Sequence, residues 1–263
     1  MVGGLRGALL AAGAVALLGA ACVAAPRSYD SERSLALESV DYSGWDELLR
    51  AHVRDGVVGY SGFAGTPELA DFLAQLRDAR PTEHTREAQR LAFLINAYNA
   101  FAISAILAGG SPETLLGRHR FFQRELHSVA GEQITLWDLE HQRIRPLGEP
   151  RIHFALVCGS ASCPKLASEA YLPERLDDQL ERDTLAFVND PTRNRFDAAA
   201  RVARVSAIFD WYAEDFEVES GSVAAYLAAY VSDPAIVPGL TGGSWRIEPL
   251  DYDWRLNGSP PAH

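Results

Sequence analysis

The stretch from about residue 86 to residue 108 constrains this chain most. Its middle, Leu91-Ala-Phe-Leu-Ile-Asn-Ala-Tyr-Asn-Ala-Phe-Ala-Ile-Ser104, is apolar almost all round, and Gly109-Gly110 stops it. A helix without a polar face is buried on every side, so the pattern predicts a helix inside a core with the rest of the chain wrapped around it. Asn96 and Asn99 are three residues apart and share one face of that helix. A buried amide left unpaired costs about 1–3 kcal/mol, so both need partners. Either they tie neighbouring loops to the helix, or they orient groups at a site.

Around this helix the signals are shorter. Ser43 with Asp46 fits a capping box ahead of Trp45, Leu48, Leu49 and Val53, and Asp55-Gly56 ends the stripe. Thr66-Pro67-Glu68 opens a helix that runs to about Ala79. A hairpin is expected around Gly131-Glu132. Thr135 with Asp138 then caps a helix closed by Pro146, on which Trp137, His141 and Ile144 form an apolar stripe beside Glu140. Leu176 to Val188 reads as an amphipathic helix, and Arg201–Val205 as a short strand. Ser206 caps Ile208–Phe216, whose inward face carries Asp215; an isolated buried carboxylate is costly, so Asp215 must be paired or near an opening. Ser222 starts a last helix through Tyr230, and Trp245–Trp254 is an extended segment expected to join a sheet.

The amino terminus carries a targeting pattern. Arg6 is the only charge before residue 25, an apolar run covers Ala8 to Leu18, and small residues follow. The run is shorter than the roughly 20 apolar residues of a membrane span. Leu-Gly-Ala-Ala-Cys22 is similar to a lipoprotein box, and cleavage after Ala25 is the alternative. Both outcomes export the folded part to the periplasm or to the cell envelope, where disulfides persist. The expected layout is a signal peptide over 1–25, a tether over 26–43, one domain over 44–257 and a tail over 258–263. The domain is read as α+β, mainly helical, with the buried helix packed on a small, largely antiparallel sheet.

Charge narrows the partners. The 263 residues sum to −11, and Lys165 is the sole lysine. Such a surface argues against sequence-independent nucleic-acid binding and against anionic lipid, which leaves a protein or a small neutral or cationic ligand. Membrane contact is expected only through a lipid on Cys22. No Gly-rich phosphate loop or Gly-x-Ser-x-Gly elbow is present, and no cofactor is implied.

Chemistry concentrates in Arg151-Ile-His-Phe-Ala-Leu-Val-Cys-Gly-Ser-Ala-Ser-Cys-Pro164, read as a buried strand followed by a tight loop. On a regular strand His153 and Cys158 point to opposite faces and cannot pair. Cys163 escapes this restriction, and Pro164 suits the first turn of a helix, whose N-terminus would lower the thiol pKa.

Five ordered motifs carry a resemblance. They are Leu91 to Asn99; Asp138-Leu-Glu-His141 with Arg145; Arg151-x-His-Phe-Ala-Leu-Val-Cys-Gly159 with Ser162-Cys-Pro164; Ser206 to Phe216; and Tyr252-Asp-Trp-x-Leu-Asn257. Over roughly residues 44–257 the chain resembles the family called domain of unknown function 547, with Leu94 where tryptophan is common. The resemblance implies no activity.

Three readings of the site remain. The first is a disulfide between Cys158 and Cys163 in an envelope binding or scaffold module. The second is a thiol-dependent hydrolase or acyl transferase: Cys163, or Cys158, acts as nucleophile with His153 or His141 as base and Glu140 or an asparagine orienting the ring. Arg145 and Asp215 join Asn96 and Asn99 in support. Papain-like and transglutaminase-like enzymes spread such residues over separate segments in the same way. The third, least favoured, is a metal held by both cysteines and a histidine.

Overall fold

The computed structural model describes residues 34–259. The expected signal peptide, Arg6, Cys22 and residues 260–263 lie outside the described residues. In chain order the helices are α1 (Ser43–His52), α2 (Pro67–Asp78), α3 (Glu87–Leu107), α4 (Leu115–Gln123), α5 (Leu136–Asp138), α6 (Leu176–Val188), α7 (Ile208–Trp211), α8 (Ala213–Ser220), α9 (Val223–Tyr230) and α10 (Val237–Thr241). The strands are short and form separate two- and three-stranded sheets, so the fold is α+β. The expected single, largely antiparallel sheet is corrected in detail. The hairpin His127–Val129/Glu132–Ile134 is antiparallel, but Val202–Val205 runs parallel to Arg246–Pro249 on one side and antiparallel to Arg195–Asp197 on the other.

The central helix behaves as its composition demands. In α3 nearly every residue from Leu91 to Ile106 is buried, and the Gln89 side chain accepts the Arg86 N–H at 2.9 Å to cap its start. Apolar faces of α1 and α2 pack around it, with Trp45 stacked on Phe72 at 5.4 Å. A second cluster gathers Phe154, Phe187, Phe209, Phe216 and Tyr226 between α6, α8 and α9. Phe154 belongs to this second cluster, whereas Ala155 and Leu156 belong to the first. The segment at residues 150–158 is therefore the seam between two cores.

That seam is not the expected strand. Pro150–Phe154 is a 3-10 helix, started by Pro150 and by the Glu149 carboxylate accepting the Arg151 N–H at 3.0 Å. A continuous apolar run fits a buried strand and a buried helical turn equally well. What tips the balance is Asn99, whose amide takes the two backbone groups a strand neighbour would have satisfied: Nδ2 donates to the Ala155 carbonyl and Oδ1 accepts the Val157 N–H, both at 2.9 Å.

Other local expectations divide cleanly. Thr135 Oγ1 accepts the Asp138 N–H at 3.1 Å and Ser222 Oγ the Ala225 N–H at 3.1 Å, as their positions imply. The Ser43 box does not form, because the Asp46 carboxylate turns to Arg50 and to the Ala170 N–H. Pairing also begins before residue 44, since Leu35–Ala36 pairs with Ala79–Arg80, and Leu37 and Val40 are buried. At the other end Gly258–Ser259, expected as tail, pairs with Val58–Gly59.

One buried residue links the fold to pH. His127 is 9 % exposed, stacks on Phe101 at 4.7 Å, and its Nε2 has no partner among the described residues. Burial holds its pKa down to about 4. The unfolded chain takes a proton near pH 6.5 and the folded one does not until about 4, so stability falls as pH drops through that window. A shift of this size caps the loss at roughly 3 kcal/mol. Urea melts at stepped pH are expected to show a shallower decline for His127→Leu than for the wild type. Parallel curves would refute the assignment.

Candidate functional site

The seam opens into a cavity of about 480 Å³ whose wall includes Glu140, His141, His153, Cys158 and Cys163. Four groups of residues build it, and the chain's segments at 98, 212 and 252 join the stretch from 137 to 164.

The first is the cysteine loop. Gly159 sits at φ 82°, and a Cβ there would come within 2.5 Å of Ile106 Cδ1, so the left-handed turn needs glycine. The loop is strapped by the chain's last segment: the Ala161 N–H donates to the Arg255 carbonyl at 2.6 Å, Ser162 N–H to the Asp253 carbonyl at 3.1 Å, and Asn257 N–H to the Gly159 carbonyl at 2.8 Å. This strap brings Tyr252 onto the sulfurs. No helix starts at Pro164, so the expected helix N-terminus beside Cys163 is absent.

The thiols are free and buried, and the expected Cys158–Cys163 disulfide is not formed. Hydrogen-bond donors surround Cys163 Sγ instead. It accepts the Cys158 N–H at 3.1 Å and the Tyr252 hydroxyl at 3.2 Å, and the Ser160 hydroxyl lies at 3.3 Å. Cys158 Sγ is 3.1 Å from Ser160 Oγ. One proton assignment satisfies the group: Cys158 S–H donates to Ser160, the Ser160 hydroxyl is shared between Tyr252 Oη at 3.0 Å and Cys163 Sγ, and Tyr252 donates to Cys163. Burial alone would raise the Cys163 pKa, but the hydrogen bonds from the Cys158 side, Ser160 and Tyr252 outweigh it and draw it below the usual thiol range. The Cys163 neighbour and burial push Cys158 the other way. The hydrogen bonds thus favour the thiolate form at Cys163 over that at Cys158, and the cause is local hydrogen bonding rather than a helix dipole.

The second segment holds the histidine. His153 Nε2 lies 2.7 Å from Asp215 Oδ2, and Arg145 grips the same carboxylate through Nε at 2.8 Å and Nη2 at 2.7 Å. The side chain of His153 is 1 % exposed, and Nδ1 makes no hydrogen bond among the described residues. Tyr212 stacks on the imidazole with centroids 3.9 Å apart. Burial would raise the Asp215 pKa, yet Arg145 and His153 hold it well below the ordinary carboxylate range. The helix expected over Ile208–Phe216 breaks at Tyr212 into α7 and α8, which places Asp215 in the first turn of α8. The strand geometry that kept His153 and Cys158 apart does not apply, and both face one cavity.

The third segment follows α5. Leu139–Ile144 is π-helical, a widened turn that recurs at functional sites. Glu140 is buried there at 6 % exposure, beside the Tyr212 hydroxyl. It does not orient a histidine; Asp215 has that task. His141 Nδ1 lies 2.9 Å from the Trp137 carbonyl, and its ring stacks on Trp137 at 3.7 Å, at the mouth of the cavity.

The fourth is α3. Asn99 clips the seam, and Tyr98 lines the cavity near Glu140 and both cysteines. Asn96 is elsewhere: it binds Trp45 Nε1 and the backbone of Tyr171, a purely structural tie. Among the described residues no group of three or more His, Cys, Asp or Glu side chains is arranged to hold a metal. The two cysteines and a histidine share a wall without forming a ligand set.

Sequence reasoning missed Tyr98, Ser160, Tyr212 and Tyr252 as site residues. Three of them stand in the motifs quoted above, immediately beside Asn99, Trp211 and Asp253, and a tyrosine next to polar motif residues was the available signal.

No curated protein and no solved structure matches the chain. One family model does match, over residues 82–188, a shorter span than the five motifs. It takes in Glu140, His141, Arg145, His153 and both cysteines, while Asp215 and Tyr252 come from outside it. Over residues 82–188 the chain matches the family described as protein of unknown function, DUF547.

Proposed function

We propose that this protein is a thiol-dependent hydrolase or acyl transferase in which Cys163 is the nucleophile, His153 moves the proton and Asp215 orients the ring. One observation carries the reading: Cys163 Sγ is ringed by hydrogen-bond donors in the same cavity that His153 lines, and Asp215, held by Arg145, anchors the His153 ring. In this scheme Cys163 attacks an acyl carbonyl, the leaving group takes a proton from His153, and His153 then accepts one from the incoming acceptor as the thioester is released. Cys158 stays a thiol and contributes its N–H. Export, with a lipid on Cys22 as one processing outcome, is proposed from the apolar run at residues 8–18 and the small residues after it. A pure binding module would use the same cavity but give the prepared thiolate no task.

The test is intact-mass spectrometry of reduced, folded protein with iodoacetamide across a pH series, followed by a chromogenic acetate ester. The expected result is a single adduct on Cys163, forming well below the reference thiol pKa of about 8.5, and a burst of one acetyl group per chain. Two cysteines that react only near that reference value, or only after unfolding, would defeat the nucleophile.

A further inference from the structure

The Glu140 carboxylate has no role in the scheme above. It is buried, yet it forms no ion pair among the described residues. Arg145 is within electrostatic reach, but its guanidinium is committed to Asp215. The neighbours of Glu140 are the hydroxyls of Tyr212 and Tyr98; the wall beyond them carries Phe122, Trp137, Trp211 and Trp254, with the Arg118 guanidinium seated over Trp254 at 4.3 Å. Trp137 and Trp211, 45 % and 46 % exposed, flank the mouth of the cavity, and Trp254 stacks on Trp211 at 5.7 Å.

A buried carboxylate normally has a compensating cation. A cavity that joins a carboxylate to several aromatic faces has the chemistry of an ammonium site, since the rings attract a cation through their quadrupoles while excluding water. The net charge of −11 favours the approach of a cation and disfavours an anion.

We infer that the cavity binds a primary ammonium group against Glu140, between the aromatic rings at its mouth, and that this amine is the acceptor for the acyl group on Cys163. The second half rests on the proposed acyl transfer; the binding half does not. The ammonium gives one proton to the Glu140 carboxylate. The freed amine attacks the thioester carbonyl, a C–N bond forms, the C–S bond breaks and Cys163 leaves as thiolate. The surplus proton on nitrogen passes to His153. An amine on a short apolar stem, such as a lysine side chain or an alkylamine, suits a cavity apolar at its mouth and polar at its base.

Calorimetry with n-butylammonium and 1-butanol separates charge from stem on the wild-type protein. Saturable binding is expected for the ammonium, at least tenfold tighter than for the alcohol, with at least a tenfold loss in Glu140→Gln, whose melting temperature is checked alongside. Equal affinities for the two ligands, or an unchanged ammonium affinity in a folded Glu140→Gln, would overturn the site. The butanol comparison decides alone if the variant does not fold. For the acceptor half, acetylated protein is mixed with n-butylamine, and N-butylacetamide is expected to form with saturation over the same concentrations as binding. An acetyl-enzyme that only hydrolyses overturns the acceptor role and leaves the ammonium site standing. Absence of any acetyl-enzyme sinks the thiol chemistry, and the acceptor role falls with it.

Discussion

Replacing Tyr252 by phenylalanine is expected to slow alkylation of Cys163 by about 10–100-fold on the acidic side of the pH profile. The hydroxyl of half-buried Tyr252 donates to the buried Cys163 Sγ at 3.2 Å. A hydrogen bond to a charged acceptor is worth about 1.5–3 kcal/mol, which is about 1–2 units of thiol pKa. The variant's profile should therefore move to higher pH by that amount. Below its midpoint the rate follows the thiolate fraction, partly offset because a more basic thiolate is intrinsically more reactive. The ring itself packs against Trp211 and Trp254, and phenylalanine preserves those contacts. A melting temperature near that of the wild type together with an unmoved alkylation midpoint would show that the hydroxyl does not stabilise the thiolate.

The largest loss of stability is expected from Asn99→Leu. Its amide is buried and satisfies the Ala155 carbonyl and the Val157 N–H, neither of which has a strand neighbour there. Leucine keeps the heavy-atom count and branching of the side chain but leaves both backbone groups stranded in the core. At about 1–3 kcal/mol for each, the cost is about 2–6 kcal/mol, a large share of a typical domain's stability. Urea denaturation should show a lower midpoint with an unchanged slope. Because the clipped segment carries His153 on one side and Cys158 on the other, the variant should also lose the selectivity of iodoacetamide for Cys163. A midpoint within about 0.5 kcal/mol of wild type, the range of an ordinary surface substitution, would mean that the seam is held by something other than Asn99.

These residues also mark where the sequence was legible. The central helix α3, the 127–134 hairpin, α6, and the caps of Thr135 and Ser222 all follow from patterns within a few residues. The candidate site residues could be named, because uncommon polar side chains inside apolar runs stand out. Their relations could not. Whether residues 151–157 form a strand or a helical turn depends on Asn99, more than fifty positions away. Which acid holds His153 depends on Asp215 arriving from α8; Glu140 is nearer in sequence but sits by Tyr212. Whether Cys163 is a disulfide partner or a free thiol among hydrogen-bond donors depends on the strap of residues 252–257. The helix α4 and the π-helical stretch were also silent, since neither carries an amphipathic pattern long enough to read.

By itself, then, the sequence determined the elements governed by short-range physics: hydrophobic periodicity, capping and the turns that glycine and proline impose. Tertiary structure alone decided the chemistry of the site. Hydrogen bonds to a buried sulfur, carboxylate or amide come from whichever segment the fold brings within about 3 Å, and no local pattern records which segment that is.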